Sequence, residues 1–276
     1  MTVERGTVSL AVEEAGAGSP VVMLMGAGSP GRVWQAYQVP ALVPDGYRVL
    51  LPDLRGVGGS AGADASGLAE LADDVVAVIE DRVGGPAALV GTSLGARVAW
   101  EVALRRPDLV TGLCLLAVQM RAAAVSTVHA MAQIDLGTGP DRPSRSARAA
   151  LGAAGLSPES LADDRDAEDW FDMLDMAPWP MPDGAVAQFR VAMADFPAGA
   201  PRCPTTVVAF ADDAVCPPRL CREVADAIGR ARFRTVAAAG HLGYLERPDD
   251  VNALILDFLR DLSTDEPNTD DRGGRP

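Results

Sequence analysis

Six short apolar runs punctuate the chain: VVMLM (21–25), YRVLLP (47–52), AALVG (87–91), GLCLLA (112–117), TTVVAF (205–210) and the less apolar RFRTVA (233–237). None alternates strictly between apolar and polar residues. Each therefore predicts a short strand buried on both faces, as in parallel sheets. Amphipathic stretches separate the runs. Leu68, Leu71, Val75 and Ile79 share one helical face, and so do Val251, Leu254, Ile255, Phe258 and Leu262. Arg105 and Arg106 ahead of Pro107 mark a helix C-terminus, with cations at the negative end of the dipole. Strands alternating with helices predict an α/β fold built on a doubly wound, mostly parallel sheet.

The alternation lapses once. Residues 121–184 hold no clear strand; SRSARAALGAAGL reads as helix, and DDRDAEDWFDMLDMAPWPMPDG is acidic with Trp, Phe and Met interleaved. A segment of this length is too long for a plain loop and predicts a helical lid. The expected organisation is a core of residues 1–120 and 185–262, a lid at 121–184, and a polar, Pro/Gly-rich disordered tail at 263–276.

Composition narrows the function. The formal net charge of −14 argues against nucleic acid or an anionic membrane surface as partner. All 24 basic residues are arginine, which excludes a Schiff-base or P-loop lysine. The first residues lack an apolar signal region and no run approaches a membrane span, so a cytoplasmic protein is expected. Cys114, Cys203, Cys216 and Cys221 show no metal-binding or redox spacing and read as spare thiols. No metal or cofactor is expected. The expected partner is a small-molecule substrate, and the chain a monomer or homodimer.

The chemistry centres on Ser93. The run AALVG ends as a strand and LGARVAWEVALRR starts a helix at once, so GTSLG is a sharp turn that lifts a serine hydroxyl above the sheet edge. Helix N-capping is the plainer role for such a serine, and the rest of the chain decides between them. Of the two histidines, His129 falls in the lid and reads as a surface or packing residue. His241, flanked by Gly240 and Gly243 after the last strand, sits where open α/β sheets bind ligands and is the candidate base. The acid that orients it is expected after TTVVAF, where both Asp212 and Asp213 qualify. Oxyanion donors are expected from the Leu94 amide and from an amide of the turn Gly26-Ala27-Gly28.

With LMGAG, PDLRGVGGS, GTSLG, AFADDAVCPP and GHLGYLERP in this order, the chain resembles the α/β-hydrolase superfamily in its lid-bearing form, over about residues 5 to 262. The resemblance implies Ser93 as nucleophile and His241 as base. The family's spacing of acid to proline selects Asp213, four residues before Pro217. It makes Ala27 and Leu94 the oxyanion amides, and it leaves Asp53, Arg55 and Glu246 in structural roles. Met25-Gly26 stands where many relatives have His-Gly, a pairing similar to that of some polyketide-tailoring esterase-like enzymes. Phe210 replaces the usual glycine of the acid motif. A serine nucleophile disfavours epoxide hydrolase or dehalogenase chemistry, which uses aspartate there.

The resemblance implies a cofactor-free serine hydrolase that acts through an acyl-enzyme on an ester, lactone or thioester of a small, largely apolar molecule, such as a polyketide, uncharged or cationic. A lyase or cyclase of natural-product biosynthesis using the same Ser/His site is the alternative, and a non-catalytic ligand-binding module the third reading. Met25, Trp170, Met173, Met176 and Trp179 are the expected pocket residues, alongside Phe171 and Met181. Packing of the lid onto the body is the plainer role for its aromatic residues and methionines.

Overall fold

The computed structural model describes residues 1–6, 8–60, 65–194 and 199–264. Eight strands among them form one sheet: β1 (Thr2–Arg5), β2 (Val8–Gly16), β3 (Ser19–Leu24), β4 (Tyr47–Pro52), β5 (Ala87–Thr92), β6 (Val110–Leu116), β7 (Thr205–Phe210) and β8 (Arg232–Val236). Their order is β1-β2-β4-β3-β5-β6-β7-β8. From β4 to β8 every pairing is parallel, with β3 Val21 beside β5 Ala88 and β5 Leu89 beside β6 Leu113. β1 and β2 add an antiparallel edge. The fold is the doubly wound, mostly parallel sheet that the apolar runs imply.

Three strands differ from the sequence expectation. β1 and β2 escaped it because they alternate: Val8, Leu10 and Val12 are buried while Ser9 and Glu13 are exposed. That is the signature of a strand with one wet face, not of a buried run. β8 is not buried on both faces. It closes the sheet as an edge strand, with Arg232 and Arg234 exposed, and edge charges discourage further strand pairing.

The helices follow as α1 (Gln38–Leu42), α2 (Leu68–Val78), α3 (Leu94–Arg105), α4 (Ala124–Thr138), α5 (Arg145–Ala153), α6 (Asp164–Asp175), α7 (Asp183–Ala192), α8 (Pro218–Ile228), α9 (Gly243–Glu246) and α10 (Pro248–Thr264). The core lies on both sides of the central strands, where Val21–Leu24, Leu89, Val90 and Leu113–Leu116 are fully buried, with Trp34 and Trp100 beneath the flanking helices. At about 25 cal/mol per Å² of apolar burial, such a core dominates the stability. No helix is long and apolar enough to cross a membrane among the described residues.

Helices α4 to α7 occupy the segment between β6 and β7. The expected boundary at 184 falls inside α7. The MPDG stretch looks like a turn, yet Pro182 directly before the helix and Asp183 in its first turn are helix-start signals. The expected tail at 263–276 begins too early, since Ser263 and Thr264 close α10; the remainder, 265–276, lies outside the described residues.

Candidate active site

Ser93 sits between β5 and α3 with φ 54° and ψ −118°. This conformation is costly for a residue with a side chain and persists only where its surroundings impose it. The flanking glycines allow the turn. A Cβ on Gly91 would lie 2.5 Å from the Gly95 carbonyl oxygen, and one on Gly95 would strike the carbonyls of Leu24 and Met25. The Ser93 amide donates to Leu116 O at 2.9 Å, pinning the turn to the neighbouring strand. Its hydroxyl caps no helix amide.

His241 and Asp213 come to the same sheet edge. His241 Nε2 lies 3.2 Å from Ser93 Oγ, and its Nδ1 lies 2.8 Å from Asp213 Oδ2. Asp213 is buried, and its other oxygen accepts from the amides of Val215 (2.8 Å) and Cys216 (2.7 Å). Asp212 is exposed. With Oδ2 accepting, the neutral imidazole carries its proton on Nδ1 and presents Nε2 as acceptor to the serine hydroxyl. Burial works against the charged ring, but the charge and hydrogen bond of Asp213 together outweigh it. The His241 pKa is therefore raised above the ordinary histidine value.

Phe210 does not disturb the acid turn. It is fully buried, and its ring presses on Gly243, where a Cβ would come within 2.6 Å of it. Glu246 latches the histidine loop: one carboxylate oxygen accepts from Gly240 N, the other from Ser157 N and Ser160 Oγ, each at 2.7 Å. Asp53 accepts from the amides of Gly31 (2.7 Å) and Gly59 (2.8 Å). Arg55 makes a buried two-point ion pair with Asp74, both bonds 2.6 Å. None of these three lines the cavity beside Ser93.

That cavity encloses about 530 Å³, within the usual range for small-molecule sites. The turn after β3 forms its floor, and Ala27 and Leu94 both line it. Neither backbone N–H has a hydrogen-bond partner among the described residues. Gln188 of α7, fully buried, holds this turn. Its Oε1 accepts from Gly28 N (2.8 Å), and its Nε2 donates to Arg55 O (2.8 Å) and, at 3.4 Å, to Leu54 O. Sequence reasoning missed Gln188; a lone glutamine in a helix carries no signal of what it reaches.

The expected pocket residues divide. Met25, Trp179 and Met181 line the cavity; Trp170, Phe171, Met173 and Met176 do not. Helix α6 turns Ala167, Trp170, Phe171 and Leu174 to one side, against α5, so that only Leu174, whose tip reaches Gly152, arrives at the cavity. Met173 and Met176 face outward, and Met176 is 82% exposed. Phe189, Leu136 and Leu151 supply apolar wall in their place. His129 is on the wall too, against the expectation of a surface or packing histidine. Burial and the nearby His241 lower its pKa to about 4, with Asp213 pulling weakly the other way, so the ring is neutral at pH 7. Among the described lining residues no carboxylate appears. Arg32, Arg97 and Arg148 do: Arg32 is exposed, Arg97 donates to Ala192 O and Ala194 O, and Arg148 is paired with Asp175. The cysteine thiols take no part in this hydrogen-bonded set, to which Cys216 contributes only its amide; burial pushes the Cys114 thiol up to about 12.

A strand–turn–helix serine, a histidine after the last strand and a carboxylate between them, on a sheet of this order, define an alpha/beta hydrolase. The chain belongs to that family, whose model matches residues 21–254. It is 36% identical to the putative non-heme bromoperoxidase BpoC of Mycobacterium tuberculosis over 256 residues, 91% of this chain and 98% of that one. The crystal structure of BpoC superposes with a TM-score of 0.85 at 34% identity, covering 92% of this chain and 96% of the other. The putative carbamate hydrolase RutD of Variovorax paradoxus is 29% identical, with 89% and 93% covered. A thermophilic esterase from Thermogutta terrifontis matches with a TM-score of 0.77 at 26% identity, covering 95% and 98%.

Proposed function

We propose that the protein is a serine hydrolase that cleaves an ester, lactone or thioester of a small, largely apolar molecule through an acyl-enzyme. The observation that carries this is the continuous hydrogen-bonded line from Asp213 through His241 to Ser93. Ser93 Oγ attacks the substrate carbonyl while His241 Nε2 takes its proton. The oxygen of the tetrahedral intermediate rests on the amides of Ala27 and Leu94, which are free to donate. The helix that begins at Leu94 adds its positive end. The imidazolium, held by Asp213, then protonates the leaving group. Water repeats the sequence in reverse and frees the serine. The 3.2 Å serine–histidine contact is within the range of a triad awaiting substrate.

Helices α4 to α7 act as the lid that selects substrate, since they supply most of the cavity wall away from the serine. A wall without carboxylates favours an uncharged substrate over a cationic one. The assay is labelling by a fluorophosphonate probe together with hydrolysis of p-nitrophenyl butyrate. Both are expected, and both should vanish in Ser93→Ala. An intact, folded protein that neither labels nor turns over would remove the reading.

The likeness to a protein named as a non-heme bromoperoxidase favours a second use of the same intermediate. Hydrogen peroxide attacking the acyl-enzyme in place of water would release a peracid and the free serine. The peracid then oxidises bromide to hypobromite and becomes the carboxylic acid. Bromination of monochlorodimedone that requires both acetate and peroxide, and fails in Ser93→Ala, is the corresponding test.

A further inference from the structure

The inward face of α4 carries polar groups that the acyl-transfer chemistry does not use. Ser126, His129, Ala130 and Gln133 recur at helical spacing and all line the cavity. Val125, Val128 and Met131 face outward and are 39%, 65% and 51% exposed. This inverts the usual order of a surface helix, whose apolar stripe turns inward.

The hydrogen bonds define which groups remain to be satisfied. Gln133 Nε2 can only donate, so its 3.3 Å contact makes His129 Nε2 an acceptor. The neutral ring therefore holds its one proton on Nδ1, which has no acceptor among the described residues. Trp179 repeats the situation independently. Its indole N–H is buried in the cavity wall with no hydrogen-bond partner. The segment carrying it is tied to the end of α4 by the bond from Met181 N to Gly137 O at 2.7 Å. The His129 and Trp179 N–H groups thus lack acceptors in one cavity, as does the buried hydroxyl of Thr92 beside Ser93, and a buried donor left unpaired is unfavourable. Of the three arginines that line the cavity, Arg97 and Arg148 are held by backbone carbonyls and by Asp175, and Arg32 is exposed to solvent.

We propose that His129 and Trp179 form an uncharged donor subsite, and that the substrate carries, besides the carbonyl attacked by Ser93, a second neutral acceptor oxygen such as a keto, ester or ether group. The subsite rests on the acyl-enzyme reading for the position of the first carbonyl. A keto group fits best. It accepts from an imidazole N–H or an indole N–H without needing a counter-charge, and neither of these donors carries one.

The test compares p-nitrophenyl hexanoate with its 4-oxo and 5-oxo counterparts, which differ from it only by a carbonyl in place of one methylene. The expected result is a kcat/KM for at least one oxo ester that equals or exceeds that of hexanoate, despite its lower hydrophobicity. His129→Leu and Trp179→Phe should each lower the oxo-to-plain ratio about fivefold to tenfold. His129→Gln, which restores a donor, should recover it. Variants that slow all three esters alike would assign both residues to packing and overturn the subsite. So would a ratio unmoved in both variants. The second arm measures Kd for methyl hexanoate and methyl 5-oxohexanoate on Ser93→Ala, and on the same protein carrying His129→Leu or Trp179→Phe. It reads the subsite without chemistry. Loss of all turnover with a persisting oxo preference in Kd would sink the acyl-enzyme and leave the subsite standing. Hydrolysis without any oxo preference, in rate or in Kd, would do the opposite.

Discussion

Replacing Gln188 with methionine tests how α7 supports the site. The side chain keeps its length but loses three contacts, two at 2.8 Å and one at 3.4 Å. The long one counts for little. Each good hydrogen bond contributes about 1 kcal/mol net, and each buried partner left unpaired adds about 1–3 kcal/mol. Gly28 N–H is half-buried and water can replace its partner, but the Arg55 carbonyl is buried, so two bonds and one unpaired carbonyl total about 3–5 kcal/mol. The effect on catalysis is separate. Losing an oxyanion donor outright costs about 3–4 kcal/mol, but Ala27 keeps its amide and its turn keeps the 3.3 Å bond from Ser29 N to Gly26 O. A fall in kcat of about tenfold to a hundredfold, with KM changing less, is therefore expected. Urea unfolding reads the first effect and ester hydrolysis the second. A variant destabilised as stated but unchanged in kcat would show that the turn holds its own shape and that α7 contributes only stability. A variant as stable as the parent would refute the hydrogen-bond argument itself.

Asp213→Asn should lower kcat by about 10⁴ at pH 8, whereas Asp212→Asn, on an exposed side chain, should stay within about twofold by the rule for surface changes. The base works only when neutral, and Asp213 raises the His241 pKa, so the acid limb of kcat/KM should lie above pH 6.5 and move down in Asp213→Asn; a limb that does not move would refute the coupling. Arg55→Leu leaves Asp74 buried without its main partner and should cost about 3–5 kcal/mol in urea unfolding, with KM little changed. His129 is neutral in the fold at a pKa of about 4 against an ordinary 6.5, so the unfolded chain gains a proton first and the fold loses up to about 3 kcal/mol as pH falls through that window. Urea midpoints at pH 7 and pH 4.5 should therefore differ less in His129→Gln than in the parent; equal differences would refute the assignment.

The parts of this protein legible in the sequence are those whose signal is local. The central strands are buried on both faces, so their composition alone betrays them. The serine turn is legible because Gly91 and Gly95 are demanded by backbone contacts within and beside the turn. Composition leaves Asp212 and Asp213 equal, and in the sequence only the family's spacing to Pro217 separates them. Both stand at a strand end, and only the path of the chain buries one beside His241 and leaves the other in water. The N-terminal hairpin was legible in principle, since Val8, Leu10 and Val12 alternate, but its period differs from that of the buried runs.

The cavity wall resisted reading for a different reason. A helix that packs on a core reports its inner face through its apolar residues, and α6 misled on that basis: its Trp and Phe pack against α5 while its methionines face solvent. Helix α4 misled in the opposite sense. Its inner face looks like a surface face because what lies inside is a cavity, and the groups lining a cavity are chosen for a ligand absent from the sequence. Hydrophobic periodicity therefore locates cores and fails at binding walls, and the failure is itself informative. A lid helix with valines outward and Ser126, His129 and Gln133 inward is a segment where ligand chemistry has overruled packing.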